Sequence, residues 1–306
     1  MARIVVITTS PEMGEQGRIA QEAQALGYDF CLLSLKDFNY SIVNGEIKVE
    51  GYEPRKGDII ITRAIFKLLH AITALVSYYK TKGVKVFDNN LLNHKYSINK
   101  LTDFIKLATY NIPMPKTYHV SYFSMYEEVV NNVGYPAIIK LTKTGRGKGI
   151  YKVASKEELD LFIKERESLI DSLGLDPNEK EFKLKKEAER FVIQEFIPYI
   201  HDLRILVIGE KVYCMKRIPK EGDFRANFSL GGSVELFAPD QKDIDLARKA
   251  LDAVGLTIGG VDILITQDGR RYVLEANHTP GMLGMEEATG ENITKEYLQY
   301  AIANAR

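Results

Sequence analysis

Two spacings of apolar residues alternate along the first third of the chain. The runs "ARIVVITT", "DFCLLSL", "GDIIITRAI" and "KVFDN" read as buried strands, and residues 14–26 and 66–82 carry the spacing of amphipathic helices. "NGEIKVEGYE" reads as a small hairpin or loop between them. This strand–helix alternation predicts a small, mostly parallel sheet. From residue 93 the character changes. A helix over 93–110 is closed by Pro113 and Pro115, and strands are expected in "KTYHVS" and on both arms of "YPAIIKLTKTGRGKGIYKVAS", with a helix over 125–133 between them. Residues 157–190 are dense in Lys and Glu, with Leu and Ile at helical spacing. A Pro177-Asn178 break there predicts two surface helices joined by a turn. The last third opens on "FVIQEFIPYIHDLRILVIGEKVYCMKRI", two or three strands around a Gly209-Glu210 turn. An amphipathic helix in "DQKDIDLARKALDAVG" and a final helix over 295–305 complete it. The pattern predicts an α/β chain in three blocks, 1–92, 93–191 and 192–306, the last two being α+β lobes.

The most informative stretch is "GVDILITQDGRRYVLEANHTPG". Asp268-Gly269 is a strong two-residue hairpin turn between two apolar runs. With those residues at the tip, Asp262 lies opposite Glu275, and Asn277 sits two residues further along on the same face. The other face then pairs Ile265 with Tyr272, Ile263 with Leu274 and Val261 with Ala276, all suited to a core. Two carboxylates held roughly 5 Å apart repel by about 3 kcal/mol at an effective dielectric near 20. A divalent cation between them relieves that repulsion, and oxygen ligands favour magnesium or manganese over zinc. The plainer reading is a solvated strand face with two exposed acids.

Length and composition narrow the class. The 306 residues exceed one typical domain, so two or three packed units are expected. The 41 basic and 41 acidic residues cancel, which gives no global field favouring nucleic acid or an anionic membrane. No apolar run approaches the roughly 20 residues that span a bilayer. The N-terminus reads as a first strand and turn, not a signal peptide. Cys31 and Cys214 each lie in an apolar run and read as buried thiols of a cytoplasmic protein.

Two further segments bear on chemistry. In "IIKLTKTGRGKGIY", Lys140 lies in a strand and Gly145, Gly147 and Gly149 follow at alternate positions, with Lys143, Arg146 and Lys148 among them. Such glycines let backbone N–H groups approach phosphate oxygens. The segment is neither a Walker A loop nor a Rossmann fingerprint, because a strand follows the glycines. It reads as a flap, or equally as a plain hairpin tip. "MKRIPKEGDFRANFSLGG" clusters Lys216, Arg217, Lys220 and Arg225 with Asn227, the wall of a phosphate site beside a metal-ready acidic face. Arg63 stands at the carboxyl end of the third strand of the first block, where open α/β sheets meet ligands, and reads equally as a surface charge.

In order and spacing, "VIQEFI", "HDLRILVIGEKV", "EGDFRANFSLGG", "GVDIL", "EANHTPG" and "GMEEATG" resemble the ATP-grasp superfamily, in its RimK-like branch of carboxylate–amine ligases. The likeness covers nearly the whole chain. It implies an ATP-grasp fold behind an N-terminal parallel α/β pre-ATP-grasp domain, and ATP with magnesium or manganese, two ions, as cofactors. Carried over by position, Lys100 and Lys140 contact phosphates, Glu195, Phe196 and Ile197 hold adenine, and Asp202 lies near the sugar. Arg225 and Asn227 lie on the phosphate side with Arg217 close by, and Asp262, Glu275 and Asn277 hold the metal. The Gly145, Arg146, Gly147 and Gly149 flap covers the phosphates. Two departures stand out: residues 163–189 are longer than in the RimK-like enzyme that modifies a ribosomal protein, and His278-Thr279 resembles LysX-like ligases that act on an amino-group carrier protein.

The implied reaction activates a substrate carboxylate as an acyl phosphate, which an amine then attacks to form an amide. Arg217 and Arg225 stabilise the transferred group, and no Ser-His-Asp or Cys-His arrangement is needed. Arg63 and His278 are the substrate-side candidates, His278 also being a candidate loop-ordering residue. Related enzymes attach an amino acid such as glutamate to a protein, peptide or coenzyme carboxylate and are homo-oligomers, dimers or tetramers. The competing readings are a regulatory ATP-binding protein of the same fold and a phosphotransferase or hydrolase. An NAD-dependent oxidoreductase fits poorly, since "TTSPEMGEQG" lacks a glycine fingerprint.

Overall fold

In the computed structural model, which describes residues 2–36, 38–65, 68–87, 99–143, 149–221 and 232–306, the N-terminal runs alternate as expected. β1 (Arg3–Thr8), α1 (Gly14–Ala25), β2 (Asp29–Ser34), a hairpin of β3 (Tyr40–Val43) and β4 (Glu46–Val49), β5 (Ile59–Arg63), α2 (Leu69–Thr81) and β6 (Lys85–Phe87) follow one another. The sheet is parallel, in the order β2-β1-β5-β6. Its central strands read as unbroken apolar runs because both faces are covered. Val5, Ile7 and Ile60 pack with α2, while Ile4, Val6 and Ile61 pack toward α1 and the C-terminal part of the chain.

Next come α3 (Lys100–Thr109), β7 (Thr117–Tyr118), α4 (Tyr126–Val133), β8 (Ala137–Leu141), β9 (Ile150–Val153), α5 (Lys156–Asp171), α6 (Pro177–Ala188) and β10 (Phe191–Glu195). The strands form an antiparallel sheet ordered β7-β10-β8-β9, with α4 and α5 packed over Ile139, Phe191 and Ile193. α5 and α6 are the two expected charged helices. Their start signals are Ser155 accepting from the Glu158 N–H, and Asp176 accepting from the Asn178 and Glu179 N–H groups ahead of Pro177 at the first turn. Two elements cross the expected block boundaries. β10 lies mostly beyond residue 191 yet pairs in the central sheet, and α3 packs Phe104 and Leu107 into the core of the sheet that follows.

That third sheet is built from β11 (His201–Ile208), β12 (Lys211–Ile218), β13 (Ser233–Leu236), β14 (Ile258–Ile265) and β15 (Arg271–Asn277), with α7 (Gln241–Val254), α8 (Leu283–Thr289) and α9 (Ile293–Asn304). It is antiparallel in the order β13-β12-β11-β14-β15. One face, with Leu203, Ile205, Val261, Ile263 and Val273, is closed by α3 and α7. On the other, Leu206, Ile208, Tyr213, Met215 and Ile258 share a core with α8, α9 and the N-terminal sheet. Val86 and Arg306 exchange two backbone hydrogen bonds of 3.0 Å, tying the last residue to the edge of the first sheet. No described helix is long and apolar enough to cross a membrane.

The β14–β15 turn differs from the expected two-residue loop. The Thr266 N–H donates to the Arg270 carbonyl at 3.0 Å, leaving Gln267, Asp268 and Gly269 as a three-residue loop, with Gly269 at φ 76°. Near the tip Ile263 therefore faces Val273, and Leu264 faces Tyr272. A bulge beside Asp262 absorbs one residue and restores the pairing of Asp262 with Glu275 and of Val261 with Ala276. Two departures from the expected register cancel where the carboxylates stand.

Candidate active site

The second face of the C-terminal sheet changes character along its strands. Past the apolar residues that meet α8 and α9, the same alternation delivers Asp202 and Arg204 from β11, Arg217 from β12, Asp262 from β14 and Glu275 from β15. Cross-strand register brings them together, because Asp202 is directly opposite Arg217, Arg204 opposite Asp262, and Asp262 opposite Glu275. The Arg204 guanidinium donates to both oxygens of Asp262, from Nε at 2.7 Å and Nη2 at 2.8 Å, and Nη2 is 4.0 Å from Glu275 Oε1. Arg217 donates from Nη1 to Asp262 Oδ2 at 2.9 Å, and from Nε at 2.9 Å and Nη2 at 2.5 Å to Asp202 Oδ1. Fork geometry of this kind suits arginine, not lysine.

α3 and β8 complete the ring of charge. Asn99 caps α3 by accepting from the Thr102 N–H. Lys100, the first helical residue, gives its backbone N–H to the Thr142 carbonyl at 3.1 Å and its Nζ to Glu275 Oε2 at 2.8 Å. Lys140 projects from β8 into the same charged region, where the charges of Glu275, Lys100, Asp262 and Asp202 all act on it.

Burial and pairing pull the titrations in opposite directions. Burial alone raises the Asp262 carboxyl, but Arg204 and Arg217 outweigh it and hold it at about 2. Burial likewise works against ionised Glu275, and Lys100 overcomes it, so this carboxyl is lowered. Lys100 is the reverse of that pair, its ammonium raised by Glu275 against the cost of burial. Asp202 is raised, burial exceeding the help of Arg217. Lys140 is lowered to about 8, by burial and by the like charge of Lys100, against the pull of Glu275.

The loop after β15 is pinned from three sides. The Thr279 N–H donates to Asn277 Oδ1 at 3.1 Å, His278 Nε2 lies 3.1 Å from Asp103 Oδ2 on α3, and Arg63 Nη2 donates to the Pro280 carbonyl at 2.9 Å. Glycines permit the close fit. A Cβ on Gly281 would lie 2.7 Å from Glu15 Oε1, and one on Gly260 would lie 3.1 Å from Pro280 Cβ.

These contacts give several of the expected site residues partners within the protein. Arg63 is not an open guanidinium at a strand end: it is buried, closed on Pro280 and stacked 5.0 Å from the Tyr297 ring centroid. Arg217, expected at the transferred phosphoryl group, donates three hydrogen bonds to Asp202 and Asp262. Asp202, expected near a nucleotide sugar, is Arg217's partner. His278 is buried on Asp103, which matches its loop-ordering alternative. His201 stacks 5.1 Å from Phe237, and its buried Nδ1 has no hydrogen-bond partner among the described residues.

The segment through Glu195, Phe196 and Ile197 does link the central and C-terminal sheets. The Glu195 N–H donates to the Lys116 carbonyl at 2.9 Å, the Lys152 ammonium lies 4.3 Å from the Phe196 ring centroid, Ile197 is buried, and the Ile200 N–H donates to Ile265 in β14. Of the glycine flap, Gly149 sits at φ 69°, and a Cβ there would collide with Leu141, whose N–H donates to the Gly149 carbonyl at 2.9 Å. Gly145, Arg146 and Gly147 lie outside the described residues, as do Arg225 and Asn227.

Sequence reasoning missed Arg204 and Asp103. Arg204 had a signal, a lone cation two residues after Asp202 inside an otherwise apolar strand. Its meaning depends on β11 lying beside β14, which only the sheet order reveals. Among the described residues no group of three or more His, Cys, Asp or Glu can hold a metal on its own. Two carboxylates with the Asn277 amide still fit magnesium, which keeps open positions for water and substrate phosphates instead of an all-protein cage.

Residues 97–301 match the RimK-like ATP-grasp domain. The chain is 28% identical to the "Probable alpha-L-glutamate ligase" of Vibrio vulnificus, across 99% of this chain and 96% of that one. It is 30% identical to the "Probable alpha-L-glutamate ligase 2" of Shewanella amazonensis, across 99% and 97%. Among solved structures, the ATP-grasp ligase PsnB complexed with minimal precursor superposes with a TM-score of 0.69 at 19% identity, covering 99% of both chains. D-alanyl-alanine synthetase A from Vibrio cholerae superposes at 0.67 and 14%, covering 99% and 98%. These structural likenesses establish the α/β ATP-grasp fold.

Proposed function

The chain belongs to the RimK-like ATP-grasp family, as an ATP-dependent ligase that forms C–N bonds, and on that premise we propose that it joins the amino group of an amino acid to a carboxylate on a peptide or protein. Glutamate is the first candidate for the amino acid, since the curated relatives bear the name of glutamate ligases. The observation that carries this reading is the Asp262–Glu275 pair across β14 and β15, met from the other side by Lys100 and Lys140.

Asp262, Glu275 and Asn277 would hold magnesium, which supplies positive charge against the phosphates of ATP. The substrate carboxylate attacks the γ-phosphorus, the bond to the β–γ bridging oxygen breaks, and ADP leaves. The amine then attacks the acyl carbon, phosphate departs with the bonding pair, and the surplus amine proton is released. Nothing here calls for a protein nucleophile. The chain's part is to position groups and to neutralise charge as it shifts. Lys100 and Lys140 face the phosphates, and Arg217 holds Asp262 in place instead of touching the reacting atoms. The backbone of residues 195–197 would hold adenine. A carrier protein as acceptor rests on His278 and Thr279.

Magnesium-dependent ADP release across a panel of amino acids, each with peptide carboxylate acceptors and with mass spectrometry on every mixture, tests the reading. Release that needs one amino acid, and a product heavier by that amino acid less water, is expected. Tight ATP binding with no amide product would favour a regulatory binder, and phosphate release without an amide would favour a hydrolase.

A further inference from the structure

Among the described residues, each carboxylate at the charged end of the C-terminal sheet has a cation partner before any ligand is considered, and Lys140 adds one further positive charge. Asp202, Asp262 and Glu275 are met by Arg217, Arg204 and Lys100, each cation within 3 Å of a carboxylate oxygen. Arg204 has the telling position. Its Nη2 is 2.8 Å from Asp262 Oδ2 and 4.0 Å from Glu275 Oε1, so one guanidinium spans the two carboxylates. It is held there from β11, directly across from Asp262, and its side chain is mostly buried. A divalent cation arriving alone would have to displace Arg204 and add two positive charges to a largely buried cluster that already holds a cation for every carboxylate, where charge is costly. A nucleotide changes both conditions, because its phosphates bring compensating negative charge and offer the guanidinium a new bidentate partner.

We propose that Arg204 is the resident counter-ion of the Asp262–Glu275 pair, and that metal enters this site only together with nucleotide, whose phosphates take Arg204 over. The inference rests on the reading of Asp262 and Glu275 as metal-holding residues. Arg204 thereby becomes a positioning residue that sets the order of binding, and idle metal uptake is suppressed by the fold itself.

The test is Mn2+ binding to the full-length, metal-stripped protein, followed by electron paramagnetic resonance with and without ADP, beside thermal melting in chelator or in Mn2+. For the native sequence, Mn2+ alone is expected to bind weakly and leave the melting temperature unmoved, and to bind at least tenfold more tightly with ADP. Arg204→Gln is expected to bind Mn2+ without nucleotide at least tenfold more tightly than the native protein. Its melting temperature should fall in chelator and recover in Mn2+. Arg204→Lys, which keeps the charge and loses the fork, should fall between the two and remains informative if the glutamine variant does not fold. An Arg204 variant that binds Mn2+ no better than the native protein without nucleotide overturns the proposal, as does native Mn2+ affinity that ignores ADP. Failure of the native protein to bind Mn2+ even with ADP would instead remove the metal reading of Asp262 and Glu275.

Discussion

The central and C-terminal sheets bring charge to one place in different ways. The C-terminal sheet brings it already matched: every carboxylate on its charged end has a cation across a strand or from α3. The central sheet brings Lys140, a buried ammonium whose titration is dragged down to about 8. Paired charges in the first case make the end of the sheet rigid and stable without a ligand. The lysine in the second case is a cost to the folded chain, which the negative charge of a bound phosphate would offset. One sheet offers a ligand charges that are already paired, and the other an ammonium still lacking a partner carboxylate at hydrogen-bond distance among the described residues.

The largest break in that comparison is Asp262→Ala. It removes the close partner of Arg204 and one of the two partners of Arg217, which keeps Asp202, and leaves the buried Arg204 guanidinium with Glu275 4.0 Å away. Removing one member of a buried pair typically costs about 3–5 kcal/mol, so chemical denaturation should show a loss of that order. Ligase activity should fall by at least about 10³-fold, since charge stabilisation at the phosphates goes with it. Unchanged stability would mean that the ladder is not what holds this end of the sheet.

Lys140→Met should do the opposite for stability. The native group is lowered to about 8, so the folded chain holds this proton less tightly than the unfolded chain does. The penalty is present in full below pH 8 and disappears as pH rises through the ordinary lysine value near 10.5. Unfolding free energy of the nucleotide-free native protein should therefore rise with pH across that window. By the same shift, the methionine variant should gain up to about 3 kcal/mol at neutral pH and lose the slope. Its ADP release should drop by about 10²-fold. Nucleotide binding near pH 8.5 should take up a proton in the native protein and none in the variant, which calorimetry in buffers of different ionisation enthalpy would read. A native protein without that slope, together with a methionine variant no more stable than it, would show that the ammonium is well solvated.

How far the sequence led depended on the range of the interaction. Strand and helix positions in all three blocks followed from local periodicity, and the charged 157–190 segment did resolve into two capped helices split at Pro177. The pairing of Asp262 with Glu275 was also legible, although a three-residue turn and a bulge reached it by another route than the expected two-residue tip. β13 and α8 are short and carry too few periods to stand out. What stayed hidden was the partner of each charge. Arg204 faces Asp262 and Arg217 faces Asp202 only because β11 lies between β12 and β14, and sheet order is a long-range property that no local pattern encodes. Arg63 shows the same gap from the other side. Its place at the end of β5 was readable, but its closure on Pro280, 217 residues away, was not.

The smallest expected effect concerns the loop that joins the two kinds of charge. His278 ties the segment after Asn277 to Asp103, three residues along α3 from Lys100, so one contact links a metal-side residue to a phosphate-side one. If the imidazole only orders the loop, His278→Ala removes a buried hydrogen bond and costs about 1–2 kcal/mol of stability, with the Asp103 carboxylate left short of a partner. The effect on activity should then appear as a rise in the apparent KM for ATP of a few fold, with the pH dependence of kcat unchanged. Asp103→Ala should reproduce both changes, and the double variant should cost clearly less than the sum of the two, because each substitution breaks the same contact. An imidazole that took the amine proton would behave differently. The limb of the kcat profile belonging to that base would vanish in His278→Ala and persist in Asp103→Ala. That split between the two variants separates a residue that holds the loop from one that takes part in the chemistry, even where their effects on stability coincide.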